Sequence, residues 1–307
     1  MKVFNYGSIN IDHIYRVGDF VRPGETLASN NYRMMLGGKG ANQSIALVKA
    51  GVMVQHIGRI SDADEWICKK FQEYGIGAYC LQLVDEPTGH AIIQVSDAGE
   101  NAILLHGGAN QSNSLNNLAE YLSSGESGDW LLLQNECNLT SEALELAKKQ
   151  GMIVAFNPAP MSDDVRDMPL QCVDYLVVNE IEAEDLLNDA KANASQPESL
   201  LTQLLERYPH LKIVLTLGAK GVMYKDAEQT ITVAAQKVEP IDTTAAGDTF
   251  IGYFIQQAMS GASIRTALEV ASKASAITVQ TLGASESIPD LYTVQSYDFD
   301  HSDPTEK

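Results

Sequence analysis

Asp242-Thr243-Thr244-Ala245-Ala246-Gly247-Asp248-Thr249-Phe250 is the stretch on which the reading of this chain turns. Beyond it Phe250, Ile251, Phe254, Ile255 and Ala258 recur at the spacing of one helical face, so a buried helix begins here. Asp242 and two threonines precede that helix, where side-chain oxygens cap free amides. The small residues Ala245, Ala246 and Gly247 let the backbone approach a ligand with its N–H groups outward. A helix N-terminus of this kind suits a phosphate or a developing anion. Asp248 would repel such an anion unless it takes a proton from whatever attacks it. Two readings stand at this point. In one, Asp248 is the base of a phosphoryl transfer and the amides of Ala245, Ala246 and Gly247 form the anion hole. In the other, Asp248 only favours the helix dipole in the first turn.

Upstream, short apolar runs alternate with helical patterns. Leu131–Gln134, Met152–Phe156, Tyr175–Val178 and Ile213–Leu217 read as buried strands, and Thr140–Lys149 as a helix between two of them. Such a rhythm predicts an α/β fold with a parallel sheet covered on both faces. Glu136, Asn157, Asn179, Glu180 and Gly218 then fall just beyond strand C-termini, the edge where open α/β sheets bind ligands. Asn179 and Glu182, three apart at a helix start, suit the hydrated shell of Mg²⁺, yet the same spacing imitates a capping box. Thr216-Leu217-Gly218-Ala219-Lys220-Gly221 could hold a nucleotide phosphate or simply turn the chain.

The N-terminal third is less regular. Val3–Gly7 reads as a first strand, followed by Asn10 and Asp12, which face the same way if the strand continues. An amide beside a carboxylate suits the hydroxyls of a polyol; a turn built on two turn-forming residues explains them equally well. Tyr32–Leu36 runs into Gly37-Gly38-Lys39-Gly40-Ala41-Asn42-Gln43, which has neither the Walker A nor the dinucleotide spacing. Val52–Ile60 is a further strand. His90–Val95 and Ala102–His106 flank a turn and form a hairpin, which with Tyr32–Leu36 and the region near 12–20 could build a small separate sheet, a lid. His90 and His106 read as structural residues.

Composition narrows the class. The chain has 307 residues, 45% of them apolar, enough for a large folded core. A formal net charge of −19 disfavours nucleic acid and anionic membrane as partners, so a phosphate must be held by local donors or metal. Cys68, Cys80, Cys137 and Cys172 form no CxxC pair and no zinc spacing, which suits reduced thiols. No signal-peptide pattern opens the chain, and no apolar run approaches the roughly 20 residues of a membrane helix. A cytoplasmic protein is expected.

Taken in order, Gly37–Gln43 (GGKGANQ), Asn157–Pro160 (NPAP), Asn179–Glu184 (NEIEAE), Thr216–Gly221 and Asp242–Phe250 (DTTAAGDTF) resemble the ribokinase-like carbohydrate kinases of the phosphofructokinase-B superfamily. The resemblance runs from Gly7 to Pro289. It implies a three-layer αβα sandwich with a mostly parallel central sheet, spanning 1–307 as one catalytic domain. A small β lid from about 12–36 and 88–107 would cover the site, and 294–307 would form a polar tail. It implies an ATP-dependent kinase acting on the primary hydroxyl of a pentose, D-ribose to D-ribose 5-phosphate, with Asp248 as base and Ala245, Ala246 and Gly247 as anion hole. Asn10, Asp12, Gly38, Lys39, Asn42 and Glu136 match sugar-contacting positions. Asn179, Thr216, Gly218, Gly221, Gly247 and Ser272 match positions around ATP. Glu182, with Asn179, matches the Mg²⁺ side. Asp242, Thr244, Thr278, Thr281, Gly283 and Ser287 match a monovalent-cation loop, so K⁺ activation is expected. A homodimer through the lid is expected too. Another sugar such as deoxyribose, another pentose or a hexose, a nucleoside, and a non-catalytic sugar-binding regulator remain alternatives. The chain departs from the family pattern at Ser61-Asp62-Ala63 and Trp66, and at Asn135 and Ile251. The first of these adjoins the expected substrate side.

Overall fold

The apolar strands of the sequence assemble into one sheet because each is covered on both faces. A computed structural model describes residues 1–77, 79–187 and 196–299. In chain order the strands are β1 (Val3–Tyr6), β2 (Asn10–Arg16), β3 (Asn31–Gly37), β4 (Val54–Ser61), β5 (Leu81–Val84), β6 (Gly89–Val95), β7 (Asn101–His106), β8 (Trp130–Gln134), β9 (Ile153–Asn157), β10 (Tyr175–Asn179), β11 (Lys212–Thr216), β12 (Val222–Lys225) and β13 (Thr230–Val233). The helices are α1 (Lys39–Lys49), α2 (Trp66–Tyr74), α3 (Leu115–Ser123), α4 (Thr140–Lys149), α5 (Glu180–Leu187), α6 (Pro197–Arg207), α7 (Ala246–Met259), α8 (Ile264–Thr278) and α9 (Leu291–Ser296).

The large sheet has nine strands in the order β13-β12-β11-β10-β9-β8-β1-β4-β5. All pairings from β11 to β5 are parallel, and β12 and β13 close one edge as an antiparallel ribbon. Alternate residues feed two cores. Trp130 and Leu132 pack with Ile45, Phe250, Phe254 and Leu268 beneath α1, α7 and α8. Leu131 and Leu133 pack with Leu118, Leu144, Leu186 and Leu201 beneath α3 to α6 on the opposite face. The result is a three-layer αβα sandwich with a mostly parallel central sheet. The β12–β13 ribbon carries no helical crossover and was not read from the sequence.

A second sheet, ordered β3-β2-β6-β7, stands beside the first. It pairs β2 with β3 in antiparallel register, Asp12 opposite Met35, and β2 with β6 in parallel, Asp12 opposite Ala91. At the other end of the chain, α9 begins at Asp290, whose carboxylate accepts the Thr293 N–H at 2.7 Å, and buries Val294. The stretch read as a polar tail therefore starts with an ordered turn of helix, and its last part, 300–307, lies outside the described residues.

Sheet order positions the site. The chain runs from β1 outward to β4 and β5, then returns to place β8 on the other side of β1. The C-terminal ends of β1 and β8 therefore diverge at a topological switch point, where a crevice opens. Ser8 follows β1 and Glu136 follows β8, and the Ser8 hydroxyl donates to the Glu136 carboxylate across that gap.

Candidate active site

Two close backbone approaches set the floor of the crevice. Gly40, in the first turn of α1, lies against Gly7: a Cβ on Gly40 would come within 2.6 Å of Gly7 Cα and nearer still to Gly7 C and Ser8 N. On its other side α1 packs on α7, where a Cβ on Gly252 would meet the Ala46 Cβ at 2.5 Å. Helix α1 is thereby wedged between β1 and α7, with its N-terminus aimed at the start of α7.

That N-terminus carries the partners of Asp248. Asn42 Nδ2 donates to Asp248 Oδ2 at 3.2 Å, and Gln43 Nε2 donates to Oδ1 at 2.9 Å. Burial pushes the Asp248 carboxyl up to about 6, against the opposing pull of the Lys39 charge and the two amide donors. The carboxylate is therefore ionised at neutral pH yet close enough to it to accept a proton. Ala245, just before α7, has φ 61°, the left-handed conformation that turns the chain into the helix. Nothing lies within 4 Å of where a Gly247 Cβ would stand, so that face of the turn is open, while the Ala246 N–H closes the turn on the Thr243 carbonyl at 3.3 Å.

Asp12 reaches the crevice from β2. Gly37 on the paired strand makes this possible, since a Cβ there would lie 2.6 Å from Asp12 Oδ1 and nearer still to Oδ2. Burial, and next the neighbouring Glu136 charge, push Asp12 up to about 7, with Lys39 opposing. Glu136 accepts from the Lys39 backbone N–H at 3.2 Å, and Lys39 Nζ stands 4.0 Å from its Oε1. Gly38, at φ 91°, makes the turn between β3 and α1. Asn10 Oδ1 accepts from Asn110 Nδ2 at 2.8 Å.

These residues fall into three adjoining cavities. A cavity of about 690 Å³ is lined by Asn10, Asp12, Gly38, Lys39, Asn42, Glu136 and Asp248, with the inner face of the small sheet above them. A cavity of about 330 Å³ is lined by Thr216, Gly218, Gly221, Gly247, Phe250 and Ser272, with Val222, Val238 and Val279 as apolar walls. Between them a cleft of about 210 Å³ holds Asn157, Asn179, Glu182, Gly247 and Asp248. Gly247 borders the second and third cavities, and Asp248, Ala245 and Lys39 border the first and third.

Asn179 and Glu182 form a reciprocal capping box: Glu182 N–H donates to Asn179 Oδ1 at 2.9 Å, and Asn179 N–H donates to Glu182 Oε2 at 3.0 Å. The cap does not displace the other reading. It leaves Glu182 Oε1 without a hydrogen-bond partner among the described residues, the side chain borders the cleft, and burial raises this carboxyl above its ordinary value. Asp242 accepts from Thr244 N–H at 2.9 Å, Thr244 Oγ1 at 2.6 Å and Gly283 N–H at 3.1 Å. Burial works to raise Asp242, but these donors outweigh it and hold the group below its usual range. The other members of that loop divide. Thr278 Oγ1 is buried and bonded to Thr249 Oγ1 and the Ala274 carbonyl, and Ser287 Oγ donates to the Ala284 carbonyl, so neither hydroxyl faces the cleft. Thr281 N–H closes a turn on the Thr278 carbonyl.

Several participants escaped the sequence reading. Ser8, Gln43, Asn110 and Gln134 are buried polar residues that bond to site residues. The available signal was polarity at the ends of otherwise apolar strands: Gln134 closes β8, and Asn5 interrupts β1. Conversely, Ser61, Asp62, Ala63 and Trp66 line none of the three cavities. Ser61 N–H donates to Thr88 Oγ1, and Thr88 donates to Asp64, so this segment props the start of β6. The departure from the family pattern therefore acts on the small sheet's support, not on the cavity wall.

The comparisons with known proteins agree with one another. A family model, pfkB family carbohydrate kinase, matches residues 1–291. The chain is 37% identical over 288 residues to a ribokinase of Haemophilus influenzae, covering 92% of this chain and 94% of that one. It superposes on the crystal structure of a ribokinase from Thermotoga maritima with a TM-score of 0.86 and 33% identity, covering 96% of this chain and 98% of that one. A ribokinase from Cryptococcus neoformans, solved in complex with ADP, gives a TM-score of 0.83 and 34% identity over 96% of this chain and 98% of that one. This chain belongs to the pfkB family of carbohydrate kinases.

Proposed function

We propose that the chain transfers the γ-phosphate of ATP to the primary hydroxyl of D-ribose, giving D-ribose 5-phosphate and ADP. The observation that carries the reading is the junction of the cavities: Asp248 and Gly247 stand where an acceptor cleft meets a nucleotide-sized slot. In the reaction the sugar O–H bond breaks as its oxygen attacks the γ-phosphorus. The proton passes to Asp248, the bond from that phosphorus to the bridging oxygen breaks, and ADP leaves with the electron pair. The N–H groups of Ala245, Ala246 and Gly247 would stabilise the charge on the transferring phosphoryl group, that of Ala246 by turning from the Thr243 carbonyl to the anion. Thr216, Gly218, Gly221 and Ser272 line the nucleotide slot, with Asn179 at its phosphate end.

A neutral acceptor suits the sugar side. Asp12 and Glu136 accept hydrogen bonds from sugar hydroxyls, Asn10, Lys39 and Gly38 complete the wall, and Asn42 Oδ1 is a buried acceptor with no partner among the described residues. An unpartnered buried oxygen costs about 1–3 kcal/mol, which a sugar hydroxyl would recover.

Two ions fit the donors present. Glu182, with one free oxygen and Asn179 beside it, fits a hydrated Mg²⁺ held through water; among the described residues no cluster of three acidic, His or Cys groups competes for it. Mg²⁺ would screen the phosphate charges. Asp242, kept ionised by its donors, together with the backbone oxygens of Thr244, Thr278, Thr281 and Gly283, fits K⁺; Ser287 would act through its carbonyl, since its hydroxyl is already bonded. A homodimer through the small sheet is supported by Tyr32, Met34, Ile92 and Leu104, which are exposed apolar residues outside the cleft. The compartment that suits reduced cysteines and free ATP is the cytoplasm, and all four cysteines are free.

The test is ADP release over a panel of ribose, deoxyribose, other pentoses, hexoses and nucleosides, in wild type and Asp248→Asn. Ribose should give the highest kcat/KM, and Asp248→Asn should lower kcat roughly 10³-fold with both substrates still bound. Wild-type turnover in Asp248→Asn removes the base, and a nucleoside preferred over ribose replaces the acceptor.

A further inference from the structure

Behind Asp248 runs a chain of buried amides that neither lines the cavities nor belongs to the hydrophobic cores. Gln43 Oε1 accepts from Gln134 Nε2 at 2.6 Å, and Gln134 Nε2 also donates to Asn5 Oδ1 at 3.1 Å. Asn5 Nδ2 donates to Ser44 Oγ and to the Gly40 carbonyl, each at 2.8 Å. Ser44 Oγ pairs with His56 Nδ1 at 2.8 Å, and His56 Nε2 lies 3.0 Å from the Gly7 carbonyl. Asn5, Gln43, Ser44 and His56 are fully buried, and Gln134 is 1% exposed.

The direction of this chain is determined. A carbonyl can only accept, so His56 Nε2 carries the proton and Nδ1 is the acceptor. Burial holds His56 down at about 4, in keeping with a neutral ring. Ser44 must then donate to His56 and accept from Asn5. Asn5 therefore offers its oxygen to Gln134, and Gln134 offers its nitrogen to Gln43. The Gln43 amide cannot turn over without setting two donors against each other, so its N–H points at Asp248. Resting on the base assignment above, we infer that Gln43, oriented through Gln134 and Asn5, is a positioning residue that fixes the angle of the Asp248 carboxylate and favours its ionised form. The charged groups around Asp248 are Lys39 on α1 and Glu136 after β8; the amide chain adds donors without adding charge.

The experiment compares Gln43→Met and Gln134→Met, which keep shape and lose the amide, and their double variant. For each, kcat, KM and the acid limb of the kcat–pH profile are measured with ribose and ATP beside thermal melting. Gln43→Met should move the acid limb up by about one pH unit, since one charge-assisted hydrogen bond is lost. It should lower kcat at neutral pH roughly tenfold and leave both KM values within about twofold, because Gln43 is not among the residues lining the cavities. Gln134→Met should move the limb in the same direction by less, and the double variant should add nothing to Gln43→Met. A purely structural role would lower the melting temperature and the active fraction while leaving the limb where it was. An unmoved limb in the variants that fold, or additive shifts in the double variant, overturns the inference. If Gln43→Met does not fold, the limb of Gln134→Met alone decides. Asp248→Asn separates the two levels: full activity there removes the base assignment, whereas an inactive Asp248→Asn with an unmoved Gln43→Met limb removes only the role of the amide chain.

Discussion

Gly40→Ala sets two principles against each other, and the structure decides between them by magnitude. Position 40 lies in the first turn of α1, where alanine is the better helix former by about 1 kcal/mol at most. Its Cβ, however, would meet Gly7 Cα at 2.6 Å, with Gly7 C and Ser8 N nearer still, where ordinary contact begins near 3.4 Å. All three atoms are backbone, so no rotamer change relieves the clash, and α1 must back away from β1 by about 1 Å. It backs toward α7, where Gly252 already touches Ala46. Overpacking of this kind costs about 1–3 kcal/mol, which exceeds the propensity gain. The functional loss is larger. Asn42 and Gln43 ride on α1, and their bonds to Asp248 at 3.2 and 2.9 Å do not survive a shift of that size. A displacement of about 1 Å among reacting groups lowers turnover roughly 100-fold. Circular-dichroism melting and an ADP-release assay measure the two effects on one preparation. The expected result is a melting temperature lower by a few degrees and a kcat lower by about two decades. A variant that melts at or above wild type with unchanged kcat refutes the idea that the Gly7–Gly40 approach sets the position of α1.

The mirror case is Gly247→Ala: its Cβ meets nothing within 4 Å, so melting should stay within about 1 kcal/mol of wild type while ATP-dependent turnover collapses, as read by calorimetry beside the same assay. Turnover itself should fall with acid. Asp248 acts as base only when ionised, so kcat should decline as pH drops through about 6, and a kcat flat down to pH 5 would remove that dependence. Stability responds with the opposite sign: the Asp248 carboxyl is raised in the folded state, so ionising it opposes folding, and the stability of Asp248→Asn relative to wild type should rise by about 1–2 kcal/mol between pH 5 and pH 8, whatever constant cost its amide meets opposite the Asn42 and Gln43 donors. Urea denaturation at pH 8 and pH 5 checks this, the gain shrinking at the lower pH. Replacing K⁺ by Na⁺ at constant ionic strength should lower kcat, and equal rates in both ions would set aside the Asp242 loop as a K⁺ site.

What the sequence made legible was whatever local pattern dictates. Short continuous apolar runs such as Leu131–Leu133 fit strands buried on both faces, and their alternation with Thr140–Lys149 leaves a parallel sheet as the economical arrangement. Asp248 was legible because a carboxylate in an otherwise small and neutral helix N-terminus is chemically conspicuous. The edge ribbon β12–β13 was not, since strands of four residues are too short to carry much periodic signal, even where β12 buries Val222, Met223 and Tyr224. Nor were the roles of Gln43, Gln134 and Asn5. Each is an ordinary amide in its own segment, and only the sheet order that sets β1 beside β8, with α1 across both, brings them into one line. Thr278 and Ser287 show what residue type leaves open: their hydroxyls bond to their own neighbours, so only their backbone oxygens are available to an ion. Residue type announces chemistry, whereas hydrogen-bond partners are a property of the assembled fold.

The same assembly explains why so acidic a chain keeps its carboxylates crowded at one place. Asp12, Glu136 and Asp248 share a crevice in which Lys39 is the cation that opposes the shifts of Asp12 and Asp248, and both of those carboxyls are pushed toward neutrality. Packing alone would never select this arrangement, because each ionised carboxylate buried there opposes folding. A polyol would reverse the balance: its hydroxyls can donate to the Asp12 carboxylate and to Asn42 Oδ1, which has no partner among the described residues. On the proposed reading, its reacting hydroxyl meets the carboxylate to which Asn42 and Gln43 both donate. On that same reading, binding energy from the sugar's other hydroxyls is spent holding that oxygen against Asp248, and the crowded carboxylates of the crevice favour a hydroxyl-rich acceptor.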